Sequence, residues 1–517
     1  MSEASDIHLL VLIHGMWGNP GHLAEMKRIY KEKLCQEDSQ KGPGEESVHI
    51  LVVETNRESA TYDGIDWGGE RVAEEIRLEI KSLEADGKKV TRFSVTGYSL
   101  GGLIARYVIG ILHQERFFDK ITPVNFTTVA TPHIGLIRYT SIRSSLFAAL
   151  GPKLLSRTGE QFYAVDKWSA HGRPLVEVMA DPNRVFHQAL ALFPHLTFYG
   201  NAVHDVTVPY MTATVEPDDP FADHEYEIQI EFDEEYKPII KSWAPSTKTV
   251  AKDSPRLFSK SWFQSKKPLV PPALDLRFPY NLLIYPALPL LLPLFLSFVV
   301  VKLSLDSRSS RSRIESLEKD ESYSSRLVHI IGQLEKSMED AVAELIDDAG
   351  NSDSQVASAE TLAHSQTNTA AAEPPSSESP SPKPETVSLS LSKTDSSKPN
   401  KLLTDVQKRI IANLNSIPQL QKERVFIHPV INSHATIVAR DVHRFKFHEL
   451  GHGVLRHMAD HFTYLAHPSK YAQNILLIAN ISSVRALIKA CPSSVPITAC
   501  LKRAHLPPPI VLHHRKS

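Results

Sequence analysis

Arg92-Phe93-Ser94-Val95-Thr96-Gly97-Tyr98-Ser99-Leu100-Gly101-Gly102-Leu103-Ile104-Ala105-Arg106-Tyr107 decides how this chain is read. A strand-like run enters Gly97-x-Ser99-x-Gly101, and a helical pattern starts directly behind it. The pentapeptide alone is weak, because glycine is common enough to produce it by chance. Its setting is stronger: a strand, a sharp turn at serine and a helix start are the parts of a nucleophile elbow. Such a turn strains the serine backbone, and small neighbours let other chain pass close by. The helix N-terminus behind it lies where negative charge would develop on a bound carbonyl.

Working outward, short apolar runs alternate with helical stretches. Strands are predicted at His8–His14, His49–Glu54, Val90–Thr96, Asn125–Ala130 and Leu196–Gly200, and helices at Trp67–Ala85 and Leu100–Leu112. This alternation predicts an α/β-hydrolase fold, a mostly parallel sheet with helices on both faces. The 517 residues exceed one average domain, and 42% hydrophobic content suffices for a sizeable core. A formal net charge of −2 gives no drive toward nucleic acid, so none is expected as a partner. Cys35, Cys491 and Cys500 form neither a disulfide framework nor a metal-ligand pattern, which favours a reducing, cytosol-facing setting. The first apolar run, His8–Ile13, lacks the basic flank and cleavage site of a secretory signal and reads as a buried strand.

Acyl transfer from an elbow serine needs N–H donors for an oxyanion, a base and an acid. Leu100 N–H, next after Ser99, is one candidate donor. Met16 N–H, in the loop behind Leu12-Ile13-His14-Gly15, is the other. His14 and Gly15 shape that turn, as Gly97 and Gly101 shape the elbow. In this fold the acid and then the base follow the serine along the chain. Asp205, in the loop after Leu196–Gly200, is the predicted acid. Asp181 is the alternative, but it precedes the strand and is followed by Pro182. Arg424–Ile431 is predicted as the last strand, and His434 just behind it as the base, ahead of His428, His443, His448 and His452. His452 to His457 lacks the glutamate of an H-E-x-x-H site, so no metal is expected there.

Asp205 and His434 flank a long stretch of different character, tolerable because loop-closure cost rises slowly with length. Residues 1–215 read as the first part of the hydrolase domain, with a cap at about 136–194, and 401–466 as its second part. Between them lie a charged insertion (216–275), an apolar segment (276–303), a helical stretch (304–350) and a Ser/Pro-rich linker (351–400) read as disordered; 467–517 form a tail. Phe278–Val301 carries no charge and is long enough for a bilayer core of about 30 Å. Pro279, Pro286, Pro289 and Pro293 predict a broken segment that enters a membrane from one side. A simple crossing would also put Ser99 and His434 on opposite sides.

Val11 to Pro20, Gly97 to Gly102, Ala130-Thr131-Pro132-His133-Ile134-Gly135, Asn201…Asp205…Val208-Pro209 and Asn432-Ser433-His434 occur in that order. Together they resemble the serine-esterase family of lipase-like α/β-hydrolases, over about residues 5–215 and 420–465. The similarity is greatest to fungal lipid-droplet phospholipase and acylglycerol lipase members. The resemblance implies Ser–Asp–His chemistry with no metal and no cofactor, acting on phospholipid, lysophospholipid or acylglycerol esters. The implied partner is a membrane or lipid-droplet surface, met by Phe278 to Val301, with the protein membrane-associated at lipid droplets or endoplasmic reticulum. A protein thioesterase and a non-catalytic membrane adaptor that keeps the fold are the alternatives.

Overall fold

Six runs pair in parallel into one sheet: β1 (Ser5–Ile13), β2 (Ser47–Val52), β3 (Lys88–Tyr98), β4 (Thr122–Val129), β5 (His195–Asn201) and β6 (Leu420–Val425), in the spatial order β6-β5-β4-β3-β1-β2. The computed structural model describes residues 5–38, 47–139, 142–169, 171–222, 228–245, 281–319 and 401–462. These all belong to a unit that ends at Phe462. The expected linker at 351–400, the tail at 467–517 and the helical pattern beyond Lys319 lie outside the described residues.

The helices that position the site are α1 (Ala24–Asp38), α2 (Ile65–Ala85), α3 (Leu100–Gln114), α4 (Val185–Ala191), α5 (Asn281–Lys319), α6 (Asp405–Asn415) and α7 (His452–Asp460). β1 explains why both faces of the sheet are covered. Ile7, Leu9, Val11 and Ile13 join the core formed with α2 and α3. His8 points to the other face, where its ring stacks on Phe462 at 5.1 Å behind α7. A strand buried on both sides reads as a continuous apolar run rather than an alternating one. The α/β-hydrolase fold predicted from the sequence is the fold observed. Register aligns the strand ends: Ile13 pairs with Gly97, Tyr98 with Val129, Val129 with Tyr199 and Asn201 with Val425. The loops carrying Met16, Ser99, Asp205 and His434 therefore all leave one edge, where open α/β sheets place their sites.

Three expectations change. The last strand stops at Val425, earlier than predicted, because its neighbour β5 ends at Asn201 and offers no further ladder partner. The stretch expected as a cap divides. Leu175, Val176, Met179, Phe186 and Leu190 are core residues, and Phe186 stacks on Tyr107 of α3 at 5.0 Å, so 175–191 belongs to the layer over the sheet. The helix Ser156–Phe162 is likewise packed in, with Ser156, Thr158, Gln161 and Phe162 buried, so among the described residues Ile142–Leu154 is the helix that remains as a candidate for a cover. Finally, the described part of the apolar segment is not broken: α5 runs continuously from Asn281 to Lys319, across the boundary drawn at 303, while Phe278, Pro279 and Tyr280 lie outside the described residues. Pro286, Pro289 and Pro293 stand at i, i+3 and i+7, one stripe of a helix. The missing N–H bonds thus fall on one side, which bends a helix without ending it.

Arg106, on α3, is fully buried and donates to His133 O at 3.2 Å, and its Nε and Nη2 have no partner among the described residues. Burial pulls its guanidinium down to about 9. A buried charge this poorly satisfied is replaceable by an apolar side chain at no cost or with a gain. Arg106→Met is expected to keep or raise the midpoint of thermal unfolding; a drop of several degrees would show that the guanidinium stabilises the fold.

Candidate active site

Ser99 occupies the turn between β3 and α3 with φ 56° and ψ −124°, a backbone conformation that a non-glycine residue adopts only under constraint. The constraint is visible on each side. Ser99 N–H donates to Val129 O at 2.9 Å, and Gly102 N–H donates to Ser99 O at 3.1 Å. A Cβ on Gly97 would lie 2.4 Å from Gly102 Cα, and one on Gly101 would lie 2.2 Å from Ile13 O. These glycines let β1, β3 and the start of α3 meet at backbone contact. Leu100 opens α3, and N–H groups in a first helical turn have no acceptor within the helix.

The β1 loop passes over the serine. A Cβ on Gly15 would sit 3.2 Å from Ser99 Oγ, so the chain at Gly15–Met16 lies directly beside the hydroxyl. Met16 N–H has no acceptor among the described residues. His14 is buried behind this turn; burial lowers its imidazole below the ordinary value, and neutral Nδ1–H donates to Gly15 O at 3.2 Å.

Asp205 and His434 reach the same point from β5 and β6. His434 Nε2 is 3.1 Å from Ser99 Oγ, and its Nδ1 is 2.9 Å from Asp205 Oδ2. The aspartate side chain is 1% exposed. It also accepts from Asn201 Nδ2 at 2.9 Å, Thr207 N–H at 3.0 Å and Val208 N–H at 2.8 Å. Four donors leave its carboxylate one orientation. The histidine loop is tied to the aspartate loop: Ser433 N–H donates to His204 O at 3.0 Å, and Ser433 Oγ to Val203 O at 2.8 Å. Tyr98 O–H, kept protonated by burial, donates to His434 O at 2.9 Å. Serine, histidine and carboxylate in such a chain can pass the serine proton to imidazole, while the carboxylate holds the tautomer.

The other candidates stand elsewhere. Asp181 pairs with Arg173 at 2.9 Å and caps its own turn through Asn183 N–H. His428 meets His204, His448 accepts from Asp441 N–H, His452 meets Glu25, and His443 is exposed. Tyr98 was missed as a support: a tyrosine before the serine carries no sign that its hydroxyl reaches a loop more than 330 residues on. No group of three or more His, Cys, Asp and Glu residues able to hold a metal ion occurs among the described residues.

Comparison with known proteins covers the first part of this arrangement. Residues 3–216 match the family described as "Putative serine esterase (DUF676)". Over 222 residues the chain is 33% identical to "Putative lipase C4A8.10" of Schizosaccharomyces pombe, covering 41% of this chain and 27% of that protein. Over 212 residues it is 28% identical to "Putative lipase ROG1" of Saccharomyces cerevisiae, covering 40% and 28%. The match thus spans less than a third of those relatives. The solved structure "Phospholipase PlaB from Legionella pneumophila in complex with thio-NAD" shares 14% identity over 38% of each chain with a TM-score of 0.24, an overlap too small to bear on fold or chemistry. The resemblance drawn from the motifs holds for residues 3–216.

Gly101→Ala must push its methyl into Ile13 O. It is expected to lower the thermal midpoint markedly, by about 2 kcal/mol or more of stability. Calorimetry of the variant beside wild type checks this, and an unchanged midpoint would refute the tight elbow.

Proposed function

We propose that this chain, whose residues 3–216 carry the serine-esterase sequence, hydrolyses acyl esters of glycerolipids at a membrane or lipid-droplet surface. The observation that carries the reading is the unbroken hydrogen-bond chain Ser99–His434–Asp205. In this mechanism Ser99 Oγ attacks the ester carbonyl carbon while His434 Nε2 takes its proton. Asp205 steadies the imidazolium, and Met16 and Leu100 N–H groups hold the oxyanion. His434 then protonates the leaving alkoxide. A water activated by the same imidazole hydrolyses the acyl-enzyme.

Apolar surface supports a lipid substrate. Trp17, Val206 and Ile431 stand exposed within three residues of Met16, Asp205 and His434. Leu290 to Leu305 of α5 present Leu, Phe and Val side chains to solvent in every direction. The most apolar window of this helix has mean hydropathy 1.9 and is 6% buried, and by length and composition it could cross a bilayer. Both flanks, however, return to the same body. The hairpin Ile228–Phe232 and Ile240–Pro245 attaches to β6 through Ile239 and Val425, and Phe426 N–H donates to Pro238 O at 2.8 Å. Beyond the apolar stretch, Ser307 Oγ donates to Lys153 O at 3.0 Å. This arrangement favours insertion from one face. The likeness to relatives named lipases adds support.

The test is labelling by a fluorophosphonate together with hydrolysis of phosphatidylcholine, lysophosphatidylcholine and triacylglycerol emulsions. Ser99→Ala is expected to abolish both. Asp205→Asn should lower kcat by about 10⁴ with the fold intact. Folded wild type that neither labels nor hydrolyses would leave a non-catalytic membrane adaptor as the better account.

A further inference from the structure

Asp63 lies at the end of the short helical turn Glu58–Tyr62, with a side chain 1% exposed, and it is one of the points where α5 meets the body, beside Ser307 on Lys153 O and Ser310 on Ser156. Its carboxylate accepts from Ser310 Oγ at 2.7 Å, Arg313 Nη2 at 2.8 Å and Arg71 Nη1 at 3.0 Å. Arg313 Nη2 also donates to Ser59 O at 2.8 Å, and Arg71 Nη2 to Ala60 O at 2.9 Å. Ser310 is fully buried, and Ser307 one turn before it is buried too, although the helix stands in solvent from Leu290 to Lys302. Two cations and a hydroxyl thus fix the outer side of this turn. Two of the three donors come from α5.

The inner side of the same turn grips the oxyanion loop. Thr61 Oγ1 accepts from Trp17 N–H at 3.1 Å and donates to Glu58 O at 2.5 Å. Tyr62 Oη accepts from Trp17 Nε1 at 2.8 Å, and Glu58 N–H donates to Gly18 O at 2.9 Å. Trp17, next after Met16, has φ 52°, and so does Glu58. Left-handed backbone at a tryptophan and a glutamate persists only where the surroundings enforce it. The enforcing bonds come from the turn that Asp63 anchors.

We propose that Asp63 and Arg313 are positioning residues for the oxyanion loop. Seating of α5 on Asp63 holds the Glu58–Tyr62 turn, and the turn holds Trp17 and hence the orientation of Met16 N–H. The inference rests on the hydrolase reading above. It adds that the helix carrying the apolar surface also tunes the rate of the chemical step, with no contact to substrate.

Asp63 is buried and its loss risks unfolding, so the variants act from α5. Full-length wild type, Arg313→Met, Arg313→Lys and Ser310→Ala are assayed on soluble p-nitrophenyl butyrate, which needs no lipid surface. Active sites are counted by fluorophosphonate titration, and affinity for butylboronic acid, whose serine adduct is tetrahedral, is measured alongside. Removing an oxyanion donor outright costs 10²–10³ in kcat, so loosening one should cost about tenfold. Arg313→Met is expected to lower kcat per titrated site about tenfold with little change in KM, and to weaken the boronic acid by a similar factor. Arg313→Lys should recover part of both, and Ser310→Ala should show the same pattern more weakly. Wild-type kcat per site and wild-type boronic acid affinity in Arg313→Met would overturn the proposal, even where the thermal midpoint falls, because that pattern marks a purely structural contact. Wild type that neither titrates nor turns over would overturn the hydrolase reading and this inference with it.

Discussion

The pairing of β5 with β6 is the constraint on which the site depends. It joins Leu196–Asn201 to Leu420–Val425, segments more than 200 residues apart, and it brings the chain carrying His434 back beside Asp205. Closing so long a loop costs about 5 kcal/mol in chain entropy. The returning segment offsets this by burial. Ile410, Leu414, Val425 and Ile427 are all within a few per cent of complete burial, and each such side chain contributes about 1.5–3 kcal/mol. Polar contacts add direction: Arg424 Nε donates to Tyr210 Oη at 2.9 Å, and Gln407, which completes the capping box with Thr404, reaches Ile134 O at 3.2 Å. The insertion therefore hangs from a sheet that closes without it.

Much of this was legible along the chain, and the reason is local. β1 announces itself as a near-continuous apolar run from Leu9 to Ile13, the mark of a strand buried on both faces, and the elbow behind β3 by glycines that stand at backbone contact. Asp205 and His434 were readable from chain order and from the strands ahead of them. What escaped reading depends on distant partners. The end of β6 is set by where β5 stops, which no residue in Phe426–Ile431 encodes. Residues 175–191 look like any amphipathic stretch until Phe186 meets Tyr107. The continuity of α5 turned on the spacing of its prolines rather than their number. The bonds of Tyr98 to the His434 loop and of Asp63 to Arg313 are contacts across hundreds of residues.

Part of the backbone strain in this chain falls at the site. Ser99, Trp17 and Glu58 all hold positive φ, at a cost of order 1–3 kcal/mol each. Each is fixed by hydrogen bonds to a neighbouring segment rather than by its own preferences, Trp17 by the hydroxyls of Thr61 and Tyr62. A hydroxyl and N–H groups fixed in this way need little reorganisation when charge develops between them, which is how a preorganised site lowers a barrier. The same bonds explain why the support reaches outward, from the loop to the turn and from the turn to α5.

The order of parts along the chain has a consequence during synthesis. Ribosomes deliver Ser99 early, then the apolar stretch of α5, and His434 only near the end. At about 5–20 residues per second, tens of seconds separate Ser99 from His434. On the proposed mechanism, the nascent chain through that interval carries an elbow without its proton acceptor. The apolar helix leaves the exit tunnel before His434 is made. A product truncated before residue 434 would lack the Ser99–His434–Asp205 arrangement altogether.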